Sequence, residues 1–235
     1  MKISQETLAI LSNFAAINQN IFIAAGNVIK TKTPASLSVI ATAHIQETFP
    51  VDFSVYELSK FLNVLSLFED PDVEFHEGHM TVAKNKAQAN FVYTNPSLVD
   101  AVKDYDKEIK SPEPVIEFTL GEDVFKRIQK SAKLFDVSDI NISSAGQDNI
   151  RITATGAAMS KENANKFTVD VPAPDKWADD ISINIKLETL KFLPGDYDVS
   201  IAIMTNGSRS LAICKFKNIT FIDSQIEYIV AAEAM

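Results

Sequence analysis

Short runs in which apolar and polar residues alternate dominate the chain. Ile21–Ala24, Ser36–Ala43, Asn90–Thr94, Asp139–Ser143, Asn149–Ala154, Lys166–Val171, Asp198–Met204 and Ser210–Phe216 are short and rich in β-branched or aromatic residues, and many of them alternate with period two. Turn residues such as Ala25-Gly-Asn27 and Asn206-Gly-Ser208 punctuate them, so each reads as a strand. Four segments instead follow the helical period. The first is Gln5–Asn18, opened by Ser4 as N-cap. Val55–Phe68 and Glu122–Phe135 follow, and a short fourth helix is expected over Leu187–Phe192, stopped by Pro194-Gly195.

The order of these elements repeats. Helix, strands, helix, strands occurs once before residue 100 and again after residue 115. Leu11, Ala15, Ile17, Ile21 and Ile23 find counterparts in Ile128, Ala132, Leu134, Ile140 and Ile142, and Lys60-Phe61-Leu62 matches Lys191-Phe192-Leu193. This points to an internal duplication with a period of about 120 residues. The expected organisation is an N-terminal domain over 1–95, a connector over 96–114 and a C-terminal domain over 115–235. Three prolines and eight charged residues within 95–114 mark that connector as an exposed crossing.

Charge changes the picture at the helices. In the third helix Val124, Phe125, Ile128, Ala132 and Phe135 share one side. Lys126, Lys130 and Lys133 share the other, flanked by Arg127, with no acid expected to interrupt the stripe. A solvated helix face usually mixes lysine with glutamate. In the second helix Lys60 and Asn63 point away from Leu58, Phe61, Leu62 and Leu65, and the fourth offers Lys186 and Lys191. The first helix has an outer face of Ala9, Asn13 and Ala16, so a uniformly basic surface is not expected. Yet the whole chain carries a formal charge of −9, unusual for a free DNA binder. Lysines on helix faces suit sequence-independent contact with a polyanion, because the ammonium is a flexible point charge suited to phosphate.

No catalytic constellation accompanies these faces. Walker, GxGxxG, HExxH, GxSxG and EF-hand patterns are absent. No cysteine or third ligand set accompanies His76-Glu-Gly-His79, and its glycine favours a turn. Cys214, the only cysteine, lies in an apolar run and is expected in the core. The opening residues lack the apolar core of a signal peptide, and no apolar run is long enough to span a bilayer. A soluble cytoplasmic protein without cofactor or metal is the expectation.

Met1-Lys-Ile-Ser-Gln-Glu-Thr-Leu-Ala-Ile-Leu-Ser-Asn-Phe-Ala-Ala-Ile-Asn18, Val55–Phe68, Leu190-Lys-Phe-Leu-Pro-Gly-Asp-Tyr-Asp-Val199 and Ile226–Ala234 resemble, in this order, segments of the sliding clamps of T-even-like bacteriophages. The flavour is closest to members from marine, cyanophage-like myoviruses. The resemblance implies an α+β DNA clamp fold: two similar domains of antiparallel sheets, each with two helices lining the hole of a homotrimeric ring. It implies a non-enzymatic processivity factor that encircles double-stranded DNA and tethers the replicative DNA polymerase. A clamp loader ATPase would open the ring, and late-transcription factors would join it, in the host cytoplasm. The DNA-facing candidates are then Lys60, Lys126, Arg127, Lys130, Lys133, Lys186 and Lys191. Pro194, Tyr197, Val230 and Ala232 are the candidates for a partner-peptide pocket. Two other classes compete: a tail or baseplate protein built of duplicated β-domains, and a small-molecule enzyme with a buried titrating pair.

Overall fold

The computed structural model describes residues 1–105, 112–145, 149–155, 165–172, 182–206, 209–221 and 223–234. It resolves into two compact units, Met1–Glu108 with Ile222–Ile226, and Ile109–Phe221 with Glu227–Met235.

In the first unit α1 (Gln5–Ile17) leads into β1 (Ile21–Ile23), β2 (Gly26–Lys32), β3 (Val39–Phe49) and β4 (Phe53–Val55). Then come α2 (Leu58–Leu65), β5 (Asp72–His76), β6 (His79–Lys84) and β7 (Ala87–Val92). A local and a distant group cap α1: the Ser4 hydroxyl accepts from Thr7 N–H at 3.1 Å, and the Glu47 carboxylate of β3 accepts from Ser4 N–H and, at 2.5 Å, from the Thr7 hydroxyl. The expected helix from Val55 is shorter, because β4 takes Phe53–Val55 into a ladder with β1. Gln19 then caps α2, accepting the Ser59 N–H at its side chain and the Leu58 N–H at its carbonyl.

In the second unit β8 (Ile116–Leu120) precedes α3 (Glu122–Phe135), β9 (Asp139–Ser144), β10 (Asn149–Thr155), β11 (Phe167–Pro172) and β12 (Ser182–Lys186). A single 3-10 turn, Leu187–Thr189, leads to β13 (Tyr197–Asn206), β14 (Arg209–Asn218) and β15 (Gln225–Ala234). The strand order is β11-β10-β9-β12-β15-β14-β13-β8, with antiparallel neighbours. The β13–β14 ladder closes at the Asn206–Arg209 pair, and Gly207 and Ser208 of the expected turn lie outside the described residues.

The repeat read from the sequence is visible strand by strand. β1 pairs with β4 as β9 pairs with β12, and β2 pairs with β3 as β10 pairs with β11. Each unit ends in a three-strand meander, β5-β6-β7 or β13-β14-β15. β8 pairs with β13, and at the matching place Met1 exchanges backbone hydrogen bonds with Val73 of β5.

One expected helix is absent. Leu187–Phe192 forms only the 3-10 turn, because Leu190, Phe192 and Leu193 are all buried and cannot share one stripe of a helix end. The backbone of Leu193 is bonded by tyrosines instead. Its N–H donates to the Tyr228 hydroxyl at 3.2 Å, and its carbonyl accepts from the Tyr197 hydroxyl at 2.5 Å. Cys214 is fully buried in β14, and burial pushes its thiol up to about 12.

Candidate nucleic-acid interface

α3 is amphipathic by sequence, and the fold uses it so. Phe125, Ile128 and Ala132 are buried, and Ser131, also buried, returns its hydroxyl to the Ile128 carbonyl at 2.8 Å. Asp196 accepts the Glu122 N–H at 2.7 Å and so holds the first turn. Lys126, Arg127, Lys130, Lys133 and Leu134 are left exposed.

These cations are not equivalent. Contrary to expectation an acid does interrupt the stripe: Glu122, one turn earlier, forms an ion pair with Lys126, and that hydrogen bond raises the lysine's pKa. Arg127 lies over the Phe167 ring of β11, 5.5 Å from its centroid. Lys130 and Lys133 have no ion-pair partner among the described residues. Lys133 also meets Lys186, at the end of β12, and Lys191 around one shallow depression of about 710 Å³. Gln129 lines it too and donates to the Leu190 carbonyl at 3.2 Å, tying α3 to the stretch that carries Lys191. Asp139 and Glu188 sit on the same rim, so three ammonium groups face two carboxylates and the local charge stays positive. Such a concave, lysine-bearing surface can hold phosphate oxygens transiently.

Lys60 is set apart from this group. It is exposed on α2 but forms an ion pair with Glu57, three residues before it. The four peptide-pocket candidates also part company. Pro194 is exposed, whereas Tyr197, Val230 and Ala232 are buried on the inner face of the β13–β15 meander, where Tyr197 and Tyr228 pack with Phe192. A peptide reaches Pro194 but not the other three without opening the core. The apolar surface missed by sequence reasoning is the other face of the meander. The exposed pair Met204–Leu211 lies there directly across β13 and β14, with Ile213 opposite an exposed Ala231 in the next rung. The signal was present: in Leu211-Ala-Ile-Cys214 both strand faces are apolar.

The chemistry-bearing residues elsewhere are structural. His76 and His79 close the β5–β6 hairpin and stack with ring centroids 4.7 Å apart. No cluster of three or more metal-ligating side chains occurs among the described residues.

A family model described as DNA polymerase processivity factor matches residues 3–94. The sliding clamp of Vibrio phage KVP40 is 29% identical over the full length of both chains. The sliding clamp of Escherichia phage RB69 is 24% identical over all of this chain and 97% of its own. The chain is similar to these phage sliding clamps along its whole length. The fold agrees. The A. fulgidus PCNA solved with the C-terminal region of FEN-1 superimposes with a TM-score of 0.66 over 96% of this chain and 94% of that one, at 12% identity.

Proposed function

We propose that three copies of the chain close into a ring around duplex DNA, and that the exposed lysines of α3 and the adjoining depression make sequence-independent phosphate contacts as the ring slides. The observation that carries this reading is the convergence of Lys133, Lys186 and Lys191, from three separate elements, beside Lys130. A ring cannot leave DNA sideways, so contacts need only be weak, and the net negative charge elsewhere opposes binding in the wrong place. Among the described residues each unit leaves an open sheet edge, β7 in the first and β11 in the second. Pairing β7 of one protomer with β11 of the next would cover both edges and close the ring.

The role is topological and non-enzymatic, in the host cytoplasm. The ring tethers the replicative polymerase, is opened by a clamp loader ATPase and also serves late-transcription factors. Partner peptides dock on the outward face of the meander, at Met204, Leu211 and Ile213, with Pro194 as the one accessible member of the earlier set. The A. fulgidus neighbour, described as bound to a FEN-1 C-terminal region, supports peptide capture of this kind. A tail or baseplate role is disfavoured, since it gives no reason for cations gathered at one depression.

Mass in solution, measured by light scattering over a dilution series, tests the ring. Three copies support it, and a strict monomer at high concentration sinks it. Reversing Lys130, Lys133 and Lys191 to glutamate should leave the trimer intact and weaken polymerase stimulation on primed circular DNA. Unchanged stimulation at moderate salt removes these residues from the interface.

A further inference from the structure

The helices of the two units differ in the cations they carry. The first unit has no arginine, and most of its lysines are consumed within it. Lys2 bridges Asp70 and Asp72 at 3.1 and 3.3 Å, Lys84 reaches Asp70 at 3.6 Å, and Lys32 pairs with Asp100. Lys30 donates to the Tyr105 carbonyl at 2.6 Å. The described lysines that remain, Lys86 and Lys103, lie in a hairpin turn and in the connector. On the helices α1 has no basic residue, and α2 has only Lys60, held by Glu57. The outward residues there are neutral: Gln5, Ser12, Ser59 and Asn63. In the second unit Lys130, Lys133 and Lys186 have no ion-pair partner among the described residues.

We infer that each protomer holds the DNA backbone through its second unit alone, while the helices of its first unit offer the duplex a neutral, hydrated face. This deepens the reading of the chain as a DNA-encircling ring and rests on it. The contacts around the duplex then number one cationic patch per protomer instead of two. The DNA is gripped at alternate units, and the intervening faces act as low-friction spacers, because hydroxyls and amides exchange water for phosphate oxygens without an ion-pair penalty.

Salt dependence of binding to a short linear duplex, read by fluorescence anisotropy on the full ring, tests this. The logarithm of affinity falls against the logarithm of salt by about 0.9 for each phosphate neutralised. Combining K130Q, K133Q and K186Q should flatten that slope, whereas K60Q should leave it unchanged. Adding charge at the neutral face, S12K with N63K, should steepen it, since that face looks at the duplex. A slope lost equally in K60Q overturns the inference, as does a slope that S12K with N63K leaves unaltered. Retention of the wild-type ring on closed circular DNA but not on linear DNA checks the underlying reading separately. If retention fails, the ring and the inference fall together; if it holds while the slopes disagree, only the division between units falls.

Discussion

The same tripeptide ends up as helix in one unit and as irregular chain in the other. Lys60-Phe61-Leu62 lies inside α2, and Lys191-Phe192-Leu193 follows the 3-10 turn at the matching place. What the two share is the fate of the phenylalanine. Phe61 stacks on Phe53 at 5.9 Å and meets Phe91 edge-on at 5.5 Å. Phe192 stacks on Tyr228 at 4.3 Å and also touches Phe216, Tyr197 and Phe125. The repeat therefore preserves an aromatic anchor and lets the backbone around it vary. Helix propensity is a weak prior beside such packing. Pro194 and Gly195 also forbid continuation: Gly195 has φ of +145°, and a Cβ there would lie 2.7 Å from Asn218 Nδ2.

The largest effect should come from removing the anchors. Phe192→Ala and Phe61→Ala should each cost about 3–5 kcal/mol of stability. Phe192→Ala should sit at the upper end, because four rings surround it and two surround Phe61. Urea unfolding with intrinsic fluorescence measures both. Equal losses would mean that ring contacts do not set the difference between the units.

A smaller effect isolates the tyrosine bonds that replace the helix. Burial pushes the Tyr197 and Tyr228 phenols well above their ordinary values, so both stay protonated through the neutral range. Tyr228→Phe keeps the stacking on Phe192 but leaves the Leu193 N–H without its acceptor, a loss of about 2 kcal/mol. Hydrogen exchange at the Leu193 amide should rise with it. A stable variant with unchanged exchange would show that the aromatic packing alone holds this stretch.

These differences explain what could be read in advance. α1 and α3 were legible almost to the residue, since each carries a full apolar stripe and Ser4 marks the start of α1. Strands with clean alternation, such as β9 and β10, were legible for the same reason. β5 and β6 were not, because Asp72-Val-Glu-Phe-His76 and His79-Met-Thr-Val82 are short and polar and gain their strand character from pairing with each other. In the candidate interface Lys126, Lys130 and Lys133 follow from helical spacing alone. That Lys186 and Lys191 join Lys133 depends on a turn no local pattern specifies, and the neutralising partners of Lys2 and Lys32 lie 68 residues away from each.

The first helices of the two units give a pH-dependent comparison. Both are capped by a distant carboxylate, Glu47 for α1 and Asp196 for α3. Burial opposes the Glu47 charge, but hydrogen bonds from Thr7 and Ser4 outweigh it and hold the carboxyl below its ordinary value of 4.5. The folded pKa is depressed, so this stabilisation is complete above the unfolded value and disappears as pH falls through the folded one. Glu47→Gln should cost about 1 kcal/mol at neutral pH, the scale of a lost cap. It should also remove part of the acid sensitivity below pH 4.5, seen in the melting temperature from pH 7 to pH 3. A variant that melts in parallel with the wild type across that range would place the acid response elsewhere.

The smallest effect concerns the helix that only the first unit possesses. Gln19 binds three points at once: its amide donates to the Ala15 carbonyl and the Ser59 hydroxyl, each at 2.9 Å, and its carbonyl oxygen accepts the Ser59 N–H at 3.0 Å. Glu57, at the N-cap position of α2, makes no side-chain cap bond, so Gln19 supplies the missing acceptor and binds the end of α1 to the start of α2. In the second unit Gln129 makes the related tie from α3 to the Leu190 carbonyl, where no helix needs a cap. Gln19→Ala should therefore cost about 0.5 kcal/mol and raise exchange at the Ser59 amide. Gln129→Ala should leave the amides of the 3-10 turn unchanged and show only as a small drop in melting temperature. Equal amide exchange in the two variants would mean that these glutamines do the same work, and that helix and turn at this position are held by packing alone.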